Sequence, residues 1–251
     1  IEIIEGFASL KKWKLAYIVF ADAAVERVLM ANGVSSDGIG ITKKDARLVN
    51  TIGVWFKSNT DIRSFKELRF FESLTMIGYN NQDTASFDGC TNLQEVEIPA
   101  NVLEIGQYAF SNCDLRQVPD LSKVTQVRAW AFTNNANMRG NLRVNGSVSQ
   151  GAFYNTGIDT AYVFMSGTGT LSANSNNNAT GAFGKCINLK SVTIGEGCTL
   201  IRQFTFWGCE LLQEIICLAT TPPTLNAGFT NTPFASGEGV IYVPDASVEA
   251  Y

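Results

Sequence analysis

The 251-residue chain contains no histidine. That absence removes imidazole acid–base catalysis, Ser-His and Cys-His nucleophile activation and histidine metal ligation, leaving only carboxylate, Lys, Tyr or Cys chemistry for any reaction. No apolar run of about 18 residues or more occurs. The nearest approach, KLAYIVFADAAVERVLMA, is broken by Lys14, Asp22, Glu26 and Arg27, so no helical membrane span is expected. The formal charge is −4 and no Lys/Arg cluster stands out, so nothing attracts a polyanion and nucleic acid is not an expected partner. Six cysteines are present without a C-x-x-C pair, which argues against a zinc site, and no cofactor is expected. The chain opens at Ile1 with neither Met nor a visible signal peptide, which reads as a processed start.

What the chain does have is a repeat. Ala-Phe or a close variant recurs at Phe87, Phe110, Phe132, Phe153, Phe183, Phe206 and, more loosely, Phe234, at separations of 23, 22, 21, 30, 23 and 28 residues. A period in the low twenties predicts a stack of short leucine-rich coils. The clearest coil runs Leu93-x-x-Val96-x-Ile98-Pro99, then Val102-x-x-Ile105-Gly106, then Ala109-Phe110-x-x-Cys113. Leu189-x-x-Val192-x-Ile194 and Leu212-x-x-Ile215-x-Cys217 restate it. Alternation within each Val-x-Ile tip predicts a short strand with every second side chain inward, and stacked tips make a parallel sheet. A second inward stretch follows at Val102/Ile105, Val124/Val127 and Leu200/Ile201. Cys90, Cys113, Cys186 and Cys209, each three residues after a repeat Phe, read as a ladder of buried thiols, with disulfides as the alternative.

Residues 1–70 show no repeat and read as a helical N-terminal cap, with 71–251 as the solenoid and its C-terminal cap strand at Val240 to Val243. Asp22 is the expected N-cap of a first helix carrying Val25, Val28 and Leu29, and Thr42 with Asp45 a capping box for a second carrying Leu48, Val49 and Ile52. Ser64 with Glu67 marks a short third helix. Residues 165–181, rich in Gly, Ser, Asn and Thr, read as an exposed loop, and Pro222-Pro223 halts regular structure before the last strand. The fold class is therefore an α/β solenoid, a right-handed leucine-rich-repeat superhelix with short parallel strands.

The segment CTNLQEVEIPANVLEIGQYAFSNC resembles the coil signature of surface leucine-rich-repeat proteins of the BspA type, and IYVPDASVEAY resembles their usual ending. The resemblance extends over nearly the whole chain from about Tyr17. It implies a secreted or outer-surface, non-catalytic protein that binds other macromolecules, with adhesion to host extracellular-matrix proteins the best-known role of the namesake. The pattern departs at Asn135 and Thr156, where Cys is usual, and those coils are expected to be distorted and able to host an added site.

The outward residue of each strand tip should line up across the stack as Glu97, Pro119, Arg143, Tyr162, Thr193, Ile216 and Tyr242. Glu97, Arg143, Tyr162, Thr193 and Tyr242 are the candidate ligand-binding residues, because Arg and aromatics in an exposed row suit a protein partner; the plainer reading is a solvated strand surface. A glycan ligand stacking on Tyr154, Tyr162 and Phe164 is the rival, and the chain is expected to be monomeric. Trp55, Trp130 and Trp207 are expected to be buried in corner packing. The run NGVSSDGIGITKKD has an EF-hand flavour, but Lys44 falls where a bidentate Glu belongs, so it reads as a turn.

Overall fold

The computed structural model describes residues 17–79, 83, 85–165, 167–172, 180–225, 229 and 231–250. Trp13 lies outside them, as do residues 166 and 173–179 of the 165–181 segment. The cap begins with α1 (Ala23–Ala31), where the Asp22 carboxylate accepts from Ala24 N–H and Val25 and Leu29 are buried. In α2 (Lys43–Leu48) Thr42 and Asp45 form the expected capping box. Leu48 is 73% exposed, however, and the buried residues of this helix are Asp45 and Ala46, because the helix ends before Ile52 can share its face. Between the two helices the Asp37 carboxylate accepts from Ser35, Ile39 and Gly40 within its own turn and from Tyr17, which holds it down at about 2.

The expected third helix is instead strand β1 (Ser64–Phe65) followed by a 3-10 turn over Lys66–Phe70. Ser64 is a strand residue, and its capping-box spacing to Glu67 is incidental. Phe65 is fully buried. Strand β2 (Met76–Ile77) follows, then β3 (Glu95–Val96), β4 (Glu104–Ile105), β5 (Gln126–Val127), β6 (Asn141–Val144), β7 (Ser147–Val148) and β8 (Thr160–Val163). The series ends with β9 (Gly169–Leu171), β10 (Ser191–Ile194), β11 (Cys198–Ile201), β12 (Glu214–Cys217), β13 (Thr224–Leu225) and β14 (Val240–Tyr242). Every named pairing is parallel, in a five-stranded sheet ordered β14-β12-β10-β8-β6, a seven-stranded sheet ordered β13-β11-β9-β7-β5-β4-β2 and the pair β1-β3. The first sheet carries the Val-x-Ile tips and the second the other inward stretch. Strand β9 lies within the segment expected to be loop, since Leu171 is buried between Val148 and Ile201 of the neighbouring strands.

Along the third edge of the coils the repeat phenylalanines stack ring on ring. Phe56, Phe87, Phe110, Phe132, Phe153, Phe183, Phe206 and Phe229 follow one another at centroid distances of 5.0 to 6.3 Å, with interplanar angles of 3° to 19°. The row thus opens at Phe56, inside the region read as a helical cap. It closes at Phe229; Phe234 packs against that ring instead of continuing the series. Neighbouring coils also approach through glycine: a Cβ on Gly106 would stand 2.6 Å from the backbone of Gly78 and Tyr79, so only Gly fits.

All six cysteines are buried, as thiols and not in disulfides. The ladder is more than small apolar filling, because each thiol gives a hydrogen bond to the carbonyl of the preceding repeat phenylalanine: Cys90 to Phe56 (2.9 Å), Cys113 to Phe87 (3.2 Å), Cys186 to Phe153 (3.0 Å) and Cys209 to Phe183 (3.0 Å). Asn135 fills the same slot, its Nδ2 donating to the Phe110 carbonyl at 2.8 Å. Its Oδ1 accepts from Leu115 N–H at 3.1 Å. The reason lies one coil earlier, where Cys113-x-Leu115 is a residue shorter than Cys90-x-x-Leu93, and the amide strayed by that shortening is taken up by Asn135. At the phenylalanine corner the two coils expected to be distorted stack regularly, Phe132 and Phe153 lying 5.3 Å apart and within 3° of parallel, and the distortion of the coil that ends at Phe132 falls on its strand tip.

Burial pushes the Cys90 thiol up to about 12 and the Cys198 thiol to about 11, and raises Cys113 as well. An unfolded cysteine loses its proton near pH 8.5, so above that pH the folded chain holds more protons than the unfolded one and stability falls as pH rises. The contribution is complete below about pH 8.5. Urea midpoints measured from pH 8 to pH 10 should therefore decline, and the decline should be shallower in Cys90→Ala/Cys198→Ala. An equal slope in the variant would remove the buried thiols as the cause.

Candidate interaction surface

Five strands present the outward row. Pairing sets Arg143 beside Tyr162, Tyr162 beside Thr193, Thr193 beside Ile216 and Ile216 beside Tyr242. The strand tips alternate as the sequence predicted: Leu142 and Val144, Ala161 and Val163, Val192 and Ile194 are buried, and the residues between them are not. At about 4.8 Å per strand the row spans on the order of 19 Å. The Arg143 guanidinium lies 5.7 Å from the Tyr162 ring centre, and Phe164 stacks beside Tyr162 at 6.0 Å. Phe164 is 46% exposed and Tyr242 52%, so this stretch of sheet turns aromatic and aliphatic side chains to solvent with Arg143 at its edge.

Glu97 is not part of this ladder. Between β3 and β6 the sheet is interrupted: Asp114 and Arg116 donate to the Leu93 and Gln94 carbonyls before β3, and the isolated bridges Gln117 to Arg139 and Leu121 to Val144 join the intervening segment to the β6 side. Four residue steps on one side face five on the other, a bulge, and Pro119 within it has no N–H to give. The register therefore shifts by one. Pro119, expected to point outward, is buried, and the exposed Asp120 stands next to Arg143. The Asp120 carboxyl is held below the usual range first by hydrogen bonds from Ser122 and then by the charges of Lys123 and Arg143. The residue signal was present: a charged Asp120 at an inward position followed by apolar Leu121, in the coil already short at Leu115.

The interruption opens a cleft of about 460 Å³ whose floor includes Val96, Ile98 and Val118. Its rim is ionic. Lys66 pairs with Glu95 and Arg69 with Glu97, each at 2.8 Å with side chains nearly half exposed. The hydrogen bond from Lys66 lowers the Glu95 carboxyl, but at this exposure such pairs hold orientation more than stability. Two chemically different regions thus adjoin: a charge-paired cleft around Glu97 and an uncharged row from Tyr162 to Tyr242.

Tyr154 stands apart from both, on the turn after Phe153, packed edge-on to Trp130 at 6.1 Å. The aromatics Tyr154, Tyr162 and Phe164 are therefore not one site. Trp55, Trp130 and Trp207 are half-buried where full burial was expected, because each flanks a repeat phenylalanine without sharing its inward direction. Among the described residues no cluster of three or more potential metal ligands occurs, and no helix is long and apolar enough to cross a membrane.

No curated protein matches this chain. A crystal structure of a leucine-rich repeat protein from Bacteroides ovatus is 16% identical to it, with a TM-score of 0.26, over 74% of this chain and 60% of that one. A leucine rich cell surface protein from Faecalibacterium prausnitzii is 18% identical, with a TM-score of 0.27, over 74% of this chain and 65% of that one. The chain spans less than two thirds of the length of either. A sequence model of the BspA type leucine rich repeat region matches in six copies over residues 56–180 and 147–233, so its first residue is the phenylalanine that opens the ring stack. On that match over most of its length, and on the stacked parallel coils that bear it out, the chain belongs to the BspA-type leucine-rich repeat family.

Proposed function

We propose that this is a non-catalytic, cell-surface binding protein that holds a protein partner on its five-stranded sheet face. The observation that carries the reading is the outward register Arg143, Tyr162, Thr193, Ile216 and Tyr242, continued by Phe164, in which Arg143, Tyr242 and Phe164 are exposed and the three between are half-buried. Tyr, Phe and Arg on a rigid sheet lose little conformational freedom on binding and are the side chains on which interfaces concentrate their energy. Glu97 and Asp120 would supply the polar rim. The surface setting is supported by the match to the BspA-type repeat family and the adhesive role that this resemblance implies.

Immobilised fibronectin and fibrinogen are suitable first partners. Tyr162→Ala should weaken capture at least about tenfold, since loss of a central aromatic anchor costs roughly 2 kcal/mol. The half-exposed ring should leave the melting temperature nearly unchanged. Equal capture by Tyr162→Ala/Tyr242→Ala, or no capture of either protein by the unaltered chain, would sink the proposal.

A further inference from the structure

A second surface runs along the turn that carries the phenylalanine stack. Two residues before the repeat phenylalanine stand Tyr108 and Trp130, whose rings are nearly parallel (12°) at 6.3 Å. Trp130 leans over Gly151, where a Cβ would meet the indole at 2.4 Å, and reaches Tyr154 beyond it. Lys185 then bridges onward, its Nζ 5.7 Å from the Tyr154 ring centre and 5.5 Å from that of Trp207. The result is a half-exposed aromatic strip crossing successive coils, on a different edge of the coil from the sheet face.

The backbone under this strip is costly. Tyr108, Trp130 and Phe204 occupy the left-handed region (φ 56°, 61° and 62°) at the place where Gly151 (φ 61°) serves one coil without strain. A bulky side chain there works against local preference, and nothing in the ring stack beneath needs it. Beside the strip runs a ladder of amides: Asn134 donates to Asn112 at 2.8 Å, Asn155 to Asn134 at 3.0 Å, and Asn112 to Asp88 at 3.2 Å. Asn134 and Asn155 each keep a donor hydrogen for a further partner, while Asn112, which also donates to Ser111 at 2.8 Å, keeps acceptor capacity.

We propose that this edge binds an uncharged oligosaccharide. A pyranose ring has an apolar C–H face and a rim of hydroxyls that both donate and accept. The aromatic strip answers the first and the Asn112–Asn134–Asn155 ladder with Lys185 answers the second. Tyr108 and Trp130, 6.3 Å apart, are each only half-buried and so remain partly open to solvent. The net charge of −4 disfavours a polyanionic glycan.

The test uses the whole chain with laminarihexaose, mannohexaose, xylohexaose and maltohexaose, followed by calorimetric titration and tryptophan emission. At least one hexasaccharide should bind with a shift in emission. Trp130→Gly, which removes the ring while relieving its backbone, should lower that affinity at least tenfold with the circular dichroism spectrum unchanged, and Tyr154→Ala should weaken it similarly. Tyr162→Ala should bind as the unaltered chain does, which separates this site from the sheet face. No binding of any of the four sugars, or full binding by folded Trp130→Gly, would overturn the proposal.

Discussion

Phe132→Ala should lower the unfolding free energy by about 3–5 kcal/mol, the range for truncating a fully buried phenylalanine. Its ring is buried completely and lies between Phe110 at 5.2 Å and Phe153 at 5.3 Å, so removal strips a stacking partner from both neighbours. The surrounding coils cannot collapse into the gap, because their spacing is fixed by the strand ladders on the other edges. Phe229→Ala is the comparison: it ends the row and is only half-buried, and it should cost well under half as much. Urea unfolding followed by both fluorescence and circular dichroism measures this, since a repeat stack can lose two-state behaviour when one coil is weakened. A loss below about 1 kcal/mol for Phe132→Ala would mean that the stack contributes shape without holding the coils together.

Asn135→Leu is expected to cost about 2–5 kcal/mol despite adding apolar volume to a buried site. It strands the Leu115 N–H and the Phe110 carbonyl, each bonded only through this side chain in the hydrogen bonds described above, and an unsatisfied buried group costs about 1–3 kcal/mol. Asn135→Cys keeps a donor for Phe110, as in the neighbouring coils, but no acceptor for Leu115, and should fall between. The order of urea midpoints should be Asn135, then Cys, then Leu. A Leu variant as stable as the parent would show that the slot requires only volume.

The fold was legible because its main signals are local and repeated. Phe110, Val96 and Leu93 recur at one spacing, and one-dimensional stacking converts that spacing directly into architecture. The row from Arg143 to Tyr242 was readable for the same reason: period-2 alternation in Val192-Thr193-Ile194 fixes which side faces out. What escaped reading were the points where one residue is missing or added. The bulge between the Gln117 and Leu121 bridges put Pro119 inward and Asp120 outward, and the short step from Cys113 to Leu115 gave Asn135 a task that looks like the loss of a cysteine. The first coil escaped because Ser64 and Glu67 imitate a helix cap, whereas pairing of Phe65 with Val96, 31 residues away, decides for a strand. The aromatic strip of Tyr108, Trp130 and Tyr154 escaped because Tyr154 follows its repeat phenylalanine whereas Tyr108 and Trp130 precede theirs by two residues, and the three meet only where Gly151 lets the indole cross.

Strand partners along the five-stranded sheet lie 19, 31, 23 and 26 residues apart, as in Asn141 with Thr160 and Ser191 with Glu214. The loops that must close during folding therefore have similar lengths wherever in the chain they occur. Doubling a loop adds only about 0.6 kcal/mol to its closure, and here the loops do not lengthen at all as coils are added. Contact order relative to chain length falls with each extra coil, so folding need not slow as the stack grows. Gene-level duplication of a coil, or its loss, is consequently a small kinetic event, and the exposed rows can change in length while the assembly of each coil on its neighbour stays the same.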